Sequence, residues 1–197
     1  MASRPYIVGI GGTTRLGSTS ERALGVALAF ATAQGCETRL IGAADLPSES
    51  YDPGLTERSA QALALVKELR RADGVVIATP SYHGGISGLI KNAIDFVEDM
   101  REDERPYLEG RAVGCIVVAD GAQAIGTTLM ALRAVVHSLR GWPTPYGAAL
   151  NPRSALFGHP DVQPEPGAVR ACEIVGREVV GFARMARAMR AAAAAEV

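Results

Sequence analysis

Short apolar runs alternate with longer amphipathic stretches along the whole chain, and this alternation restricts the possible folds more than any other feature. The first run is Tyr6-Ile7-Val8-Gly9-Ile10, followed by a loop of Gly, Ser and Thr. Glu21 to Gln34 then reads as a helix, with Leu24, Leu28 and Ala31 along one face and Gly35 as its stop. Glu37 to Ile41 is a second strand. Ala43 to Gly54 holds two prolines and reads as loop, and Leu55 to Ala72 reads as helix, with Leu63, Val66 and Leu69 opposite Lys67, Arg70 and Arg71. Gly74 to Ala78 is a continuously apolar third strand, suited to burial on both faces. Ile86 to Met100 reads as helix, the charged stretch Arg101 to Arg111 as loop, Ala112 to Ala119 as the fourth strand and Ile125 to Arg140 as the fourth helix. Thr144 to Leu150 is a short fifth strand that Pro143 and Pro145 push to a late start or a sheet edge. A Pro-rich loop, Asn151 to Gly167, leads to a last helix, Ala168 to Arg190.

Five βα units in strict alternation predict an α/β fold: a doubly wound parallel sheet with helices on both faces. Crossovers in such sheets are right-handed, and ligands lie outside the carboxyl ends of the strands. The loops after strands one, three and four are therefore where a site is expected. The 197 residues suit a single domain over 1–190, with 191–197 a frayed tail. A formal net charge of -1 offers no field for nucleic acid or an anionic membrane. The scattered Cys36, Cys115 and Cys172 form neither a disulfide framework nor a metal site, and Cys115 lies in an apolar run as a core residue. With no signal-peptide pattern and no run long enough to span a bilayer, a cytoplasmic protein is expected.

The first of those loops reads Gly11-Gly12-Thr13-Thr14-Arg15-Leu16-Gly17-Ser18-Thr19-Ser20. Between a strand and a helix start it offers unpaired backbone N–H groups, the positive end of a helix dipole, five hydroxyls and one guanidinium. That chemistry suits a dianionic phosphate. A Rossmann fingerprint starts at Gly9 and Gly11 but meets Thr14 at its third glycine. A P-loop fits Gly12 and Gly17, yet Ser18 stands where its lysine belongs, so a triphosphate would lack its main cation. A solvated Ser/Thr helix cap is the bland alternative.

After strand three the chain reads Thr79-Pro80-Ser81-Tyr82-His83-Gly84-Gly85-Ile86-Ser87-Gly88, and Lys91-Asn92-Ala93-Ile94-Asp95-Phe96 follows. This segment, together with the first loop, resembles the NAD(P)H-dependent FMN reductases and their P-x-Y-[HN]-G…SG…KNAIDW-like and G-[ST]-x-R-x-x-S-x-[NST] signatures. The resemblance covers roughly residues 5 to 150. It implies a flavodoxin-like five-stranded sheet of order 2-1-3-4-5 that binds FMN and takes hydride from NADPH or NADH. It puts Thr13, Arg15, Ser18 and Ser20 on the phosphate positions, with Thr19 adding a hydroxyl, and Pro80, Ser81, Tyr82, His83 and Gly84 along the ring. Gly121 is the residue matching a glycine-rich stretch at the flavin's pyrimidine edge, where Ala122 and Gln123 depart from the usual second glycine. Hydride arrival at flavin N5 needs no side-chain base, so His83 is assigned to binding and no catalytic side chain is named.

The reaction then implied is NAD(P)H-dependent flavin reduction. The reduced flavin would serve a partner oxygenase or a quinone, azo or other small acceptor. Two other functions use the same fold: a flavodoxin-like electron carrier, against which the near-neutral charge argues, and a flavin-free phosphate-ester binding module. The family resemblance also implies a homodimer or tetramer. Lys91 and Asp95, four apart on a helix, read as a weak surface pair.

Overall fold

A computed structural model describes residues 4–152 and 165–195. Among these residues the strands form one seven-stranded sheet, with β2 (Glu37–Ile41), β1 (Tyr6–Gly11), β3 (Gly74–Tyr82), β5 (Ala112–Val118) and β6 (Trp142–Pro143) side by side in that order. All of these pairs are parallel. A two-residue strand β4 (Gly85–Ile86) folds back antiparallel on β3, and β7 (Ala148–Leu150) pairs with the far end of β5. The expected order 2-1-3-4-5 is thus present, with β5 as the fourth strand and β6 with β7 as the fifth.

Strand period 2 divides the core into two layers. Ile7, Val76, Ala78, Ile116 and Val118 face α1 (Thr19–Ala33) and α5 (Pro166–Ala195). Val8, Ile10, Val75, Ile77, Cys115 and Val117 face α2 (Ala60–Arg71), α3 (Gly88–Asp95) and α4 (Ala122–Ser138). Both faces of β3 and β5 are covered, as their continuously apolar sequence predicts. Each fully buried Val or Ile contributes about 1.5–3 kcal/mol over an exposed one. Among the described residues no helix is long and apolar enough to cross a membrane.

Several boundaries differ from the sequence expectation. The predicted helix over Leu55–Ala72 begins only at Ala60, because Ser59 caps it by accepting the Ala62 N–H at 3.1 Å. Arg58, ahead of that cap, instead pairs with Asp99 at 2.8 Å. The helix expected over Ile86–Met100 is three pieces: β4, then α3 with Ser87 as its cap, then a tighter 3-10 turn over Phe96–Met100. The fifth strand is split. Pro143 and Pro145 have no N–H to give a ladder; after the Thr144 N–H donates to the Val113 carbonyl at 3.0 Å, residues 145–147 leave the sheet, with Thr144 Oγ1 donating to the Tyr146 carbonyl at 2.9 Å. The last helix starts at Pro166 and continues through Ala195. Most of the Pro-rich stretch Asn151–Gly167 lies outside the described residues.

Candidate flavin site at the carboxyl ends of β1, β3 and β5

The loop after β1 is bracketed by two glycines with positive φ, Gly12 at 118° and Gly17 at 65°. Between them Thr13 Oγ1 accepts the Arg15 N–H at 3.0 Å, a local turn that presents residues 14–17 to solvent. Ser18 caps α1, its Oγ accepting the Glu21 N–H at 3.4 Å and lying 3.3 Å from Ser20 Oγ. Ser18 and Ser20 are buried, while Thr13 and Thr19 are half-buried and Arg15 is exposed. The first N–H groups of α1 have no partner inside the helix and carry its positive dipole end. Beneath the loop, Glu21 leans toward Gly12 and Gly42. A Cβ on Gly12 would come 3.2 Å from Glu21 Oε2, a buried oxygen that has no hydrogen-bond partner among the described residues.

The segment after strand three is not a free loop. β3 runs on to Tyr82, so Pro80, Ser81 and Tyr82 are strand residues, and Pro80 stands opposite Val118 where the sheet ends. Tyr82 and Gly85 pair across a two-residue turn in which His83 (φ 54°) and Gly84 (φ 78°) both occupy the left-handed region. That is the type I′ arrangement, which matches the twist of a hairpin and favours glycine at its second central position. At its base Thr79 Oγ1 accepts the Ser87 N–H at 3.2 Å. Tyr82 is 57% exposed at the tip of the strand.

Across from this turn, α4 starts at Gly121 with no side-chain cap, and a Cβ on Gly121 would meet open space. Its first N–H groups are therefore left for solvent or a ligand. His83, Gly84, Gly121, Gln123, Ala124 and Thr127 line an open groove of about 540 Å³, within the range of small-molecule sites. Two of the three predicted loops line this groove, and the third follows β1, the strand beside β3 in the parallel sheet. The residues that sequence reasoning missed here are Glu21, Thr127 and Thr128. Thr127 Oγ1 lies 3.2 Å from the Gly84 carbonyl, and Ser81 Oγ lies 2.7 Å from Thr128 Oγ1. Lys91 and Asp95 do form a half-exposed pair at 2.5 Å. Asn92, between them, accepts the Tyr51 N–H and donates to the Glu49 carbonyl, both at 2.8 Å, and so ties down the segment after β2.

This donor set fits FMN. One helix N-terminus with a cationic loop faces where a phosphate would be held, and a second uncapped N-terminus and a glycine turn offer N–H groups to a flat ring with carbonyl acceptors.

Comparison with known proteins agrees. Residues 5–154 match the family described as NADPH-dependent FMN reductase. The chain is 31% identical over 137 residues to an iron-sulfur flavoprotein of Archaeoglobus fulgidus, covering 66% of this chain and 69% of that protein. It is 29% identical over 114 residues to an FMN-dependent NADPH-azoreductase of Staphylococcus aureus, covering 55% of this chain and 57% of the azoreductase. In three dimensions it resembles a WrbA-like flavodoxin of Agrobacterium tumefaciens with a TM-score of 0.62 at 17% identity, over 92% of this chain and 98% of that one, so the fold is flavodoxin-like. On the length of the family match and the convergence of its motif residues, the chain belongs to the NADPH-dependent FMN reductase family.

Proposed function

We propose that this NAD(P)H-dependent flavin reductase holds the FMN phosphate on residues 13–20 and the ring between the Tyr82–Gly84 turn and the start of α4. The observation that carries this reading is the left-handed turn at His83–Gly84 facing the uncapped start of α4 across one open groove, with the Ser18-capped start of α1 following β1, the strand beside β3. Arg15 and the N–H groups at the start of α1 neutralise the phosphate, a charge-assisted contact of about 1.5–3 kcal/mol. Ser18 and Ser20, engaged in the cap, fix those N–H groups in direction, and Thr13 and Thr19 add hydroxyls from the loop rim. Pro80 and Ser81 set the height of the turn, and Tyr82 and His83 border the ring. Donors at Gly84 and Gly121 favour negative charge on the ring's pyrimidine edge. FMN, when bound, supplies the hydride and electron chemistry. The chain orients the nucleotides and needs no general base.

The electrons pass to a small acceptor of the quinone or azo class or to a flavin-dependent partner enzyme. We place the protein in the cytoplasm, as one domain over 1–190 that forms a homodimer. The exposed face of α4 supports the dimer: Gly126, Met130, Ala131 and Ala134 carry no charge, and Met130 is 66% exposed. Purified protein is expected to oxidise NADPH or NADH only when FMN is supplied, and Arg15→Ala to weaken FMN binding about tenfold or more. Absence of turnover with either nucleotide would refute the activity. An unchanged FMN dissociation constant in the variant would refute the phosphate contact.

A further inference from the structure

We infer that Ser81, Thr127 and Thr128 act as a hydroxyl clasp, fixing the Tyr82–Gly85 turn to the first turns of α4 and thereby setting the gap in which the flavin ring lies. The inference rests on the site proposed above. The turn needs such a device. Only Ser81–Ile86 and Tyr82–Gly85 pair in the β3–β4 hairpin, too little to hold a hairpin by itself. It also keeps His83 in a region that non-glycine residues seldom enter.

Proton bookkeeping identifies the clasp. Each hydroxyl has one proton to donate. Ser81 Oγ lies 2.7 Å from Thr128 Oγ1 and 3.3 Å from the Ala124 carbonyl. Both contacts are made if Thr128 donates to Ser81 and Ser81 donates to Ala124. Thr127 Oγ1 is near three carbonyls, Gly84 at 3.2 Å, Gln123 at 3.1 Å and Ala124 at 3.2 Å. With Ala124 taken by Ser81, its proton has Gln123 within its own helix or Gly84 across the groove. The Gly84 bond is the one that holds the turn. Thr128 is fully buried, where an unpaired hydroxyl is costly, so its bond to Ser81 is the anchor of the set. A threonine folded back only on its own helix would have no reason to meet a strand residue at 2.7 Å. Because Ala124 belongs to the same helical turn as Gly121, the clasp ties the two edges of the groove to one rigid body. The three residues are positioning residues, acting on the ring through backbone.

Thr128→Val removes the hydroxyl at constant shape, Thr127→Val removes the exposed arm, and Thr128→Ser keeps the donor. Hydrogen exchange on the flavin-free protein reads the turn directly, and FMN titration with the bound-flavin spectrum reads the ring. In Thr128→Val the amides of residues 83–86 are expected to exchange about tenfold faster while those of β1 and β5 hold their protection. FMN affinity should fall about tenfold with a shifted flavin spectrum. Thr128→Ser should restore all three. Thr127→Val, at an exposed position, should give the same changes at smaller size and stands in if Thr128→Val fails to fold. Unchanged exchange at 83–86 would overturn the clasp. Faster exchange with FMN affinity and spectrum intact would overturn its role at the ring. If the unaltered protein binds no FMN, the site reading and the ring role fall together. If it binds FMN and the valine variants match it throughout, the clasp alone is wrong.

Discussion

Cys115 and Cys172 show how far one residue's setting can be read from sequence. Both thiols are buried, and burial pushes each pKa from 9.0 up to about 12; that of Cys36 is raised by the same cause. The folded chain therefore keeps two thiol protons over a range in which the unfolded chain has lost them. Stability from these groups is intact below about pH 9 and falls between 9 and 12. Denaturation midpoints should decline across that window and be restored in part by Cys115→Ser at high pH, relative to its own neutral value. A thiol reagent at pH 8 should titrate all three cysteines in denaturant but react roughly a hundredfold more slowly with the native protein. Fast native labelling would contradict the burial. The apolar run around Cys115 made it legible as core. Arg111 was not legible, because its charge suggested a surface loop. It is 1% exposed, donating to the carbonyls of Ala72, Tyr107, Glu109 and Arg70, and burial lowers its pKa to about 10. The Thr127–Thr128 pair escaped because its partners on the β3–β4 hairpin come from another part of the chain, which local pattern cannot supply.

At the level of elements, what local chemistry controls was readable and what packing controls was not. The strand cores of β1, β3 and β5 followed from apolar runs. The late start of α2 depends on a cap residue, and the extension of β3 to Tyr82 depends on β4 folding back beside it. The close seating of α5 on the sheet and on α1 had no sequence periodicity to announce it. A Cβ on Gly114 would come 2.3 Å from Val175 Cγ1, and one on Gly176 would come 2.7 Å from the Ala27 carbonyl oxygen. Gly176→Ala should therefore destabilise by about 1–3 kcal/mol in a urea melt, since backbone cannot step aside. Gly181→Ala, on the same helix with nothing within 4 Å, should instead stabilise by up to about 1 kcal/mol through helix propensity. Equal effects at the two positions would show that the α1–α5 contact is not as close as described.

For the whole molecule, alternation of βα units was enough to give the doubly wound parallel sheet, while its strand order came with the family resemblance. The three loops named from sequence follow β1, β3 and β5, neighbouring parallel strands, and two of them carry the family's motifs. Association of chains depends on surfaces that alternation says nothing about, and here the uncharged face of α4 is the feature to test. Met130→Glu places a charge in its middle. Sedimentation should find the unaltered protein as a dimer and the variant as a monomer with its thermal stability kept. A monomer in both would remove this face as the interface.

The central claim concerns where one mononucleotide lies, and a crystal structure of the protein grown with FMN tests it most directly. The account predicts phosphate density on residues 13–20 near Arg15, and ring density between Tyr82–Gly84 and Gly121. FMN bound at any other surface, or that groove left empty at saturating FMN, would contradict it.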